Sequence, residues 1–156
     1  MLALLYAMRH LTKFAMPLLA VALVACGSVG PSGGQSVGRI TYSVTGGIAG
    51  WQRVLTIESD GKAKIDVVHG PSPGVTQTQV DAAVLQHLHD LVSGPEFAAL
   101  KPQYLPSPGG ADMQDYVIAV EIDGKTIQTM TRDGAAPPQI LRDVMKVLNE
   151  ILSGAV

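Results

Sequence analysis

Two Asp-Gly pairs, Asp60-Gly61 and Asp123-Gly124, each stand between runs in which apolar and polar residues alternate. This arrangement constrains the fold more than any other feature of the chain. Gly reaches positive φ at no steric cost, and a two-residue Asp-Gly loop of type I′ matches the right-handed twist of paired strands. Each pair therefore predicts a hairpin. The first joins Trp51–Glu58 (Trp51, Leu55 and Ile57 on one face) to Lys62–Val68 (Ala63, Ile65 and Val67 inward). The second joins Tyr116–Ile122 to Lys125–Arg132. A further alternating run, Arg39–Thr45, puts Ile40, Tyr42 and Val44 on one side and Thr41 and Ser43 on the other. Val117 and Ala119, apolar on the second face of their strand, argue for a central place in the sheet.

Two segments change to the helical period. Val80, Ala83, Val84, Leu88 and Leu91 recur at helical spacing within Val75–Val92, with Thr78 as the expected N-cap. Pro137-Pro138 opens a second helix, where Ile140, Leu141, Val144, Val147, Leu148 and Ile151 form an apolar stripe. Between them, Glu96–Leu100 reads as a short extra turn and the Pro- and Gly-rich Lys101–Met113 as a long loop. The order βββαββα predicts an α+β domain: an antiparallel five-stranded sheet with both helices on one face and a Thr- and Ser-bearing polar face opposite. Aromatic residues make up only 4% of the chain, so the core must be mainly aliphatic.

The domain is preceded by an address. Arg9 and Lys13 form a basic n-region, and Phe14–Val24 is apolar but shorter than the ~20 residues a spanning helix needs. Leu23-Val24-Ala25-Cys26 then has the residue pattern of a bacterial lipobox. The expectation is a signal peptide over 1–25, with Met1 or Met8 as its start. A lipidated (palmitate-bearing) Cys26 and a flexible tether over 26–38 follow, then a single domain over 39–156. Acyl chains on Cys26 would anchor the protein to the membrane without a transmembrane helix. Gly27, in place of Asp, points to the outer membrane. The chain has one cysteine, so no intramolecular disulfide is available and the core alone must hold the domain. After residue 25, nine basic residues face thirteen acidic ones. That surplus of acid leaves no basic footprint for nucleic acid.

Candidate chemistry is sparse. His87 and His89 are two apart on a helix and so point to nearly opposite sides, which prevents them from chelating one ion. Asp112 and Asp115 form a loop pair of the kind that can do acid–base work, but solvated loop acids are the commoner outcome. The glycines of 46–50 lack the Gly-Lys-Ser/Thr ending of a phosphate loop. The expectation is no enzyme, no catalytic residue, no metal and no cofactor. What remains is Gly46-Gly47-Ile48-Ala49-Gly50-Trp51, with two readings. The glycines form a bulge that tucks Ile48 onto the core, or they carry Ile48 on an exposed apolar tip that meets a partner.

Here a resemblance bears on the choice. Ser43-Val44-Thr45-Gly46-Gly47-Ile48-Ala49-Gly50, with Arg53 soon after, resembles the strand–Ser-Gly-Gly-Phe-Ala-Gly–strand opening of the emfourin family. Asp115-Tyr116-Val117-Ile118-Ala119-Val120, Asp123-Gly124-Lys125, Asp133-Gly134 and the Pro-led last helix resemble that family's second half. The likeness spans Arg39–Leu152. Ile48 stands where Phe is usual, and the lipobox and tether are additions to the domain. The resemblance implies an inhibitor of protealysin-like enzymes, a branch of the thermolysin-like zinc metalloproteases. It would act by occlusion, with Gly46, Gly47, Ile48, Ala49, Gly50 and Trp51 as the partner-binding residues and a monomer as the working unit. The alternative is a non-enzymatic envelope lipoprotein that binds a structural protein or a peptide along an exposed sheet edge.

Overall fold

The computed structural model describes residues 35–107, 110 and 112–154. The expected signal peptide, the lipobox with Cys26 and most of the tether lie outside the described residues. Among the described residues no helix is long and apolar enough to cross a membrane.

The chain runs β1 (Val37–Gly46), β2 (Trp51–Ile57), β3 (Lys62–His69), β4 (Gly74–Gln79), α1 (Ala82–Ser93), α2 (Pro95–Ala98), β5 (Gln103–Tyr104), β6 (Gln114–Ile122), β7 (Lys125–Arg132) and α3 (Gln139–Leu152). The strands form one sheet in the order β4-β3-β2-β1-β6-β7-β5. All neighbours are antiparallel except β5, which lies parallel to β7. The five-stranded antiparallel sheet with two helices expected from the sequence is thus corrected to a seven-stranded mixed sheet with three helices.

Both additional strands lie at sheet edges, and each was hidden for its own reason. Every residue of β4 is exposed, so no buried–exposed alternation marks it as a strand. The segment Val75–Val92, expected to contain the first helix, therefore also contains most of β4, up to Gln79. That helix begins later than expected: Asp81, not Thr78, caps it, with Oδ1 accepting the Ala83 N–H at 2.8 Å. The two-residue β5 is held by what it meets rather than by its own pattern. Pro102 accepts the Met130 N–H at 3.0 Å, and Lys101 accepts the Thr129 hydroxyl at 2.9 Å.

The core lies on one face of the sheet. Ile40, Tyr42 and Val44 of β1 are buried there beside Leu55 and Ile57 of β2 and Ile118, Val120 and Ile122 of β6. Leu88 and Val92 of α1, Phe97 of α2, and Leu141, Val144, Leu148 and Ile151 of α3 close over them. Each fully buried Leu or Ile contributes about 1.5–3 kcal/mol relative to exposure. Val37 has the wrong parity for this face yet is buried. A one-residue register shift between Val37 and Ile40, where β1 meets β6, turns it back inward. Tyr42 is the largest of the fully buried side chains. Its hydroxyl donates to Oδ1 of Asn149 on α3 at 3.0 Å, and its ring stacks on Tyr116 at 6.5 Å.

The two Asp-Gly turns differ. Asp123 and Gly124 both have positive φ (49° and 73°) and connect directly paired Ile122 and Lys125, as type I′ requires. At Asp60-Gly61 only Gly61 is left-handed. The Glu58 carbonyl accepts the Gly61 N–H and the Glu58 N–H reaches the Lys62 carbonyl, so three residues form the loop and Gly61 forms its bulge. The expected type I′ geometry there is corrected accordingly.

Candidate functional site

The β1–β2 connection follows from its glycines. Gly46 pairs with Trp51 and closes the ladder, and the Gly50 N–H donates to the Gly47 carbonyl at 2.9 Å. This is a β-turn with Ile48 and Ala49 at its central positions. Gly46, Gly47 and Gly50 have φ of 114°, 74° and 59°. A Cβ on Gly46 would lie 2.5 Å from the Met113 carbonyl oxygen, whereas one on Gly50 would meet nothing within 4 Å. Gly46 is therefore required twice, by its dihedral and by the closeness of the neighbouring backbone. Ile48 stands at the apex and is 88% exposed, and Trp51 at the base is 41% exposed. The bulge reading, with Ile48 tucked onto the core, is excluded. Singly exposed apolar residues are ordinary, but here a β-branched residue occupies the center of a tight turn with an indole beside it.

The tip is held from the side by the long loop. The Gly47 N–H donates to the Met113 carbonyl at 3.3 Å, and Gly46 is in register with Gln114. Gly46, Gly47, Ile48, Ala49 and Trp51 line a shallow notch of about 320 Å³ with Asp112 and Gln114. The two loops that sequence reasoning kept apart therefore meet at one end of the sheet. A third segment locks the junction. Asp133, after β7, accepts the Gln114 N–H at 2.9 Å and the Tyr116 hydroxyl at 2.8 Å through its two carboxylate oxygens. Burial and this carboxylate together push the Tyr116 phenol up to about 12, so it stays a donor at any physiological pH. Gln114 and Asp133 are not among the site residues expected from the sequence, and Asp112 is expected there only as the partner of Asp115. Their only local signal is an acidic residue on each side of the β6–β7 hairpin, since strand pairing brings them together.

The remaining candidates fall elsewhere. Asp115 is not paired with Asp112 for chemistry. It accepts a two-pronged ion pair from Arg132 across the β6–β7 ladder, Nε to Oδ1 at 2.6 Å and Nη2 to Oδ2 at 3.0 Å. The hydrogen-bonded guanidinium holds its carboxyl below the usual carboxylate range. His87 is exposed, while His89 is partly buried with Nε2 unpartnered among the described residues, and burial lowers its pKa. No cluster of three or more His, Cys, Asp or Glu side chains able to hold a metal ion occurs among the described residues. The arrangement at the tip offers apolar contact, shape and backbone hydrogen-bonding groups. No protein-family model and no curated protein matches the chain.

Proposed function

We propose that this protein is a proteinaceous inhibitor of thermolysin- or protealysin-like metalloproteases, anchored in the cell envelope through lipid on Cys26, and that it acts by occluding the active-site cleft. The observation that carries the reading is the tip itself: an isoleucine 88% exposed at the apex of a turn whose three glycines allow the left-handed dihedrals and whose shape is tied by the Gly50 N–H to the Gly47 carbonyl and the Gly47 N–H to the Met113 carbonyl. A preformed loop loses little conformational entropy on binding, and so more of its contact energy appears as affinity. Clefts of thermolysin-like enzymes favour bulky apolar side chains just beyond the scissile bond. Ile48 supplies such a side chain, with Trp51 as its flank. Glycines on both sides keep the backbone slim enough to follow it in.

The direction of β1 also supports the reading. The chain enters the domain at Val37, at one end of this ten-residue strand, and the tip lies past its other end at Gly46. At ~3.4 Å per residue the strand separates the two by roughly 30 Å. A tether at the entry would hold the tip on the far side of the domain.

The test is titration of purified thermolysin-like proteases with the full chain, following peptide cleavage. Inhibition near one-to-one is expected. The Ile48→Asp variant should lose it with an unchanged melting temperature, because the side chain is solvated. An Ile48→Asp variant that inhibits as well as the parent would refute the role of the tip. The second reading, a non-enzymatic partner-binding lipoprotein, has one observation of its own: the open edge of β4.

A further inference from the structure

The two edges of the sheet are unlike. The β5 edge is two residues long and flanked by Pro102 and Pro106, which keep another strand from extending the ladder. The β4 edge, Gly74-Val75-Thr76-Gln77-Thr78-Gln79, is six residues long, carries no charge and no internal proline, and is exposed throughout. Charges, prolines and bulges are the usual means of blunting an edge. None of them lies within β4.

The hydrogen-bond parity of this edge is fixed from both sides. The Val80 N–H bonds to the Gly61 carbonyl at 3.0 Å, and the Glu58 N–H to the Lys62 carbonyl at 2.9 Å. In an antiparallel ladder, residues alternate between facing one neighbour and the other. From either bond, Ala63, Ile65 and Val67 pair with Thr78, Thr76 and Gly74 as the hydrogen-bonded partners across β3–β4. Val75, Gln77 and Gln79 therefore turn their N–H and C=O groups away from the sheet.

We propose that β4 pairs with β4 of a second copy of this chain, antiparallel, about a two-fold axis at Gln77. The occupant follows from the sequence of the strand. Thr76-Gln77-Thr78 is symmetric about Gln77, so a second copy sets Gln77 against Gln77, Thr76 against Thr78, and Val75 against Gln79. This register uses every outward group in about six backbone hydrogen bonds, as three hydrogen-bonded pairs provide. It stops short of Pro73 and Asp81 at the two ends. It brings no like charges opposite each other, and its Thr–Thr pairs are a favourable cross-strand combination. The isologous contact closes on itself and needs no further subunit. Because the strands run antiparallel, the two Ile48 tips project from opposite ends of the joined sheet. Dimerisation replaces the monomer expected from the sequence and leaves the proposed inhibitory tip free, so each proposal stands or falls separately.

The test is sedimentation equilibrium of the full chain in density-matched detergent, with micelles in excess over protein, from ~10 µM to ~1 mM, the span in which a contact as small as one strand edge associates. The parent is expected to pass from monomer to dimer. Gln77→Lys and Gln77→Glu should each weaken the dimer about fivefold, since like charges then face each other across the axis. Mixing the two variants should restore association to within about twofold of the parent, a recovery that a merely structural effect cannot produce. Circular dichroism of both variants checks that they fold. A parent that stays monomeric through ~1 mM overturns the proposal, including one that instead takes up an extended peptide. So does a dimer indifferent to the charge at position 77.

Discussion

Replacing Gly46 with Ala probes the physics of the tip most directly, because two separable costs meet at one atom. The φ of 114° lies where an L residue is strained, at roughly 1–2 kcal/mol. The new Cβ would also sit 2.5 Å from the Met113 carbonyl oxygen. That oxygen cannot swing away freely, since it accepts the Gly47 N–H. Forcing an atom into such a contact costs a further 1–3 kcal/mol or so. The sum, about 3 kcal/mol, is a large part of the 5–15 kcal/mol typical of a domain's stability. Gly50→Ala is the control. Its φ of 59° carries the dihedral strain, but no atom lies within 4 Å of the new Cβ, and the expected cost is only about 1–2 kcal/mol. Urea unfolding of the two variants, with unchanged slope, reads the difference as a shift in midpoint. In thermal unfolding the gap between the variants should be several degrees, at roughly 4 °C per kcal/mol for a domain of this size. Equal destabilisation by the two, or a silent Gly46→Ala, would refute the claim that the Met113 backbone confines the tip.

Three further outcomes are expected. Thr131 is buried with its hydroxyl unpartnered among the described residues. Thr131→Val should therefore be neutral or stabilise by up to about 1 kcal/mol, measured by urea unfolding, because an isosteric methyl removes an uncompensated polar group. Asp81→Ala removes the α1 cap and should cost about 1 kcal/mol by the same measurement, with Asp81→Asn close to the parent. Because Arg132 depresses its folded pKa, Asp115 contributes stability that is complete above the unfolded carboxylate value of about 3.9 and is lost as pH falls through the lower folded value. The pair is about one-third exposed, so solvent screening keeps this contribution small. Asp115→Asn should flatten that part of the stability–pH curve and lower stability by the same small amount above pH ~6, where the slope is unchanged.

Legibility in the sequence followed burial. Where a strand or helix has one dry side, side-chain polarity repeats with the period of the backbone, and β1, β2, β3, β6, β7 and α3 could be read on that basis. Ile40, Tyr42, Leu55, Ile118 and Leu148 all fall where their spacing puts them. Wherever solvent reaches both sides, that periodicity vanishes. β4, exposed at every position, therefore carries no strand signal ahead of the helix. Turn geometry was legible only in part, since an Asp-Gly pair fits both a two-residue loop and the end of a three-residue one. Loop length at Ser59-Asp60-Gly61 is set by the strand register, not by the pair itself.

The candidate site divides along the same line. Glycines at 46, 47 and 50 around an isoleucine were plain from the sequence, but whether Ile48 faced core or solvent was not. That depends on whether anything lies above the turn. Only the folded chain brings Met113 and Gln114 against its flank, with Asp133 bonded to Gln114 behind them, and leaves the apex uncovered. The sequence alone determined the central strands, the long helices and the turn residues, because local periodicity and backbone sterics encode them. The tertiary structure alone decided the two edge strands, the parallel β5–β7 contact and the exposure of the tip, because each depends on partners distant along the chain.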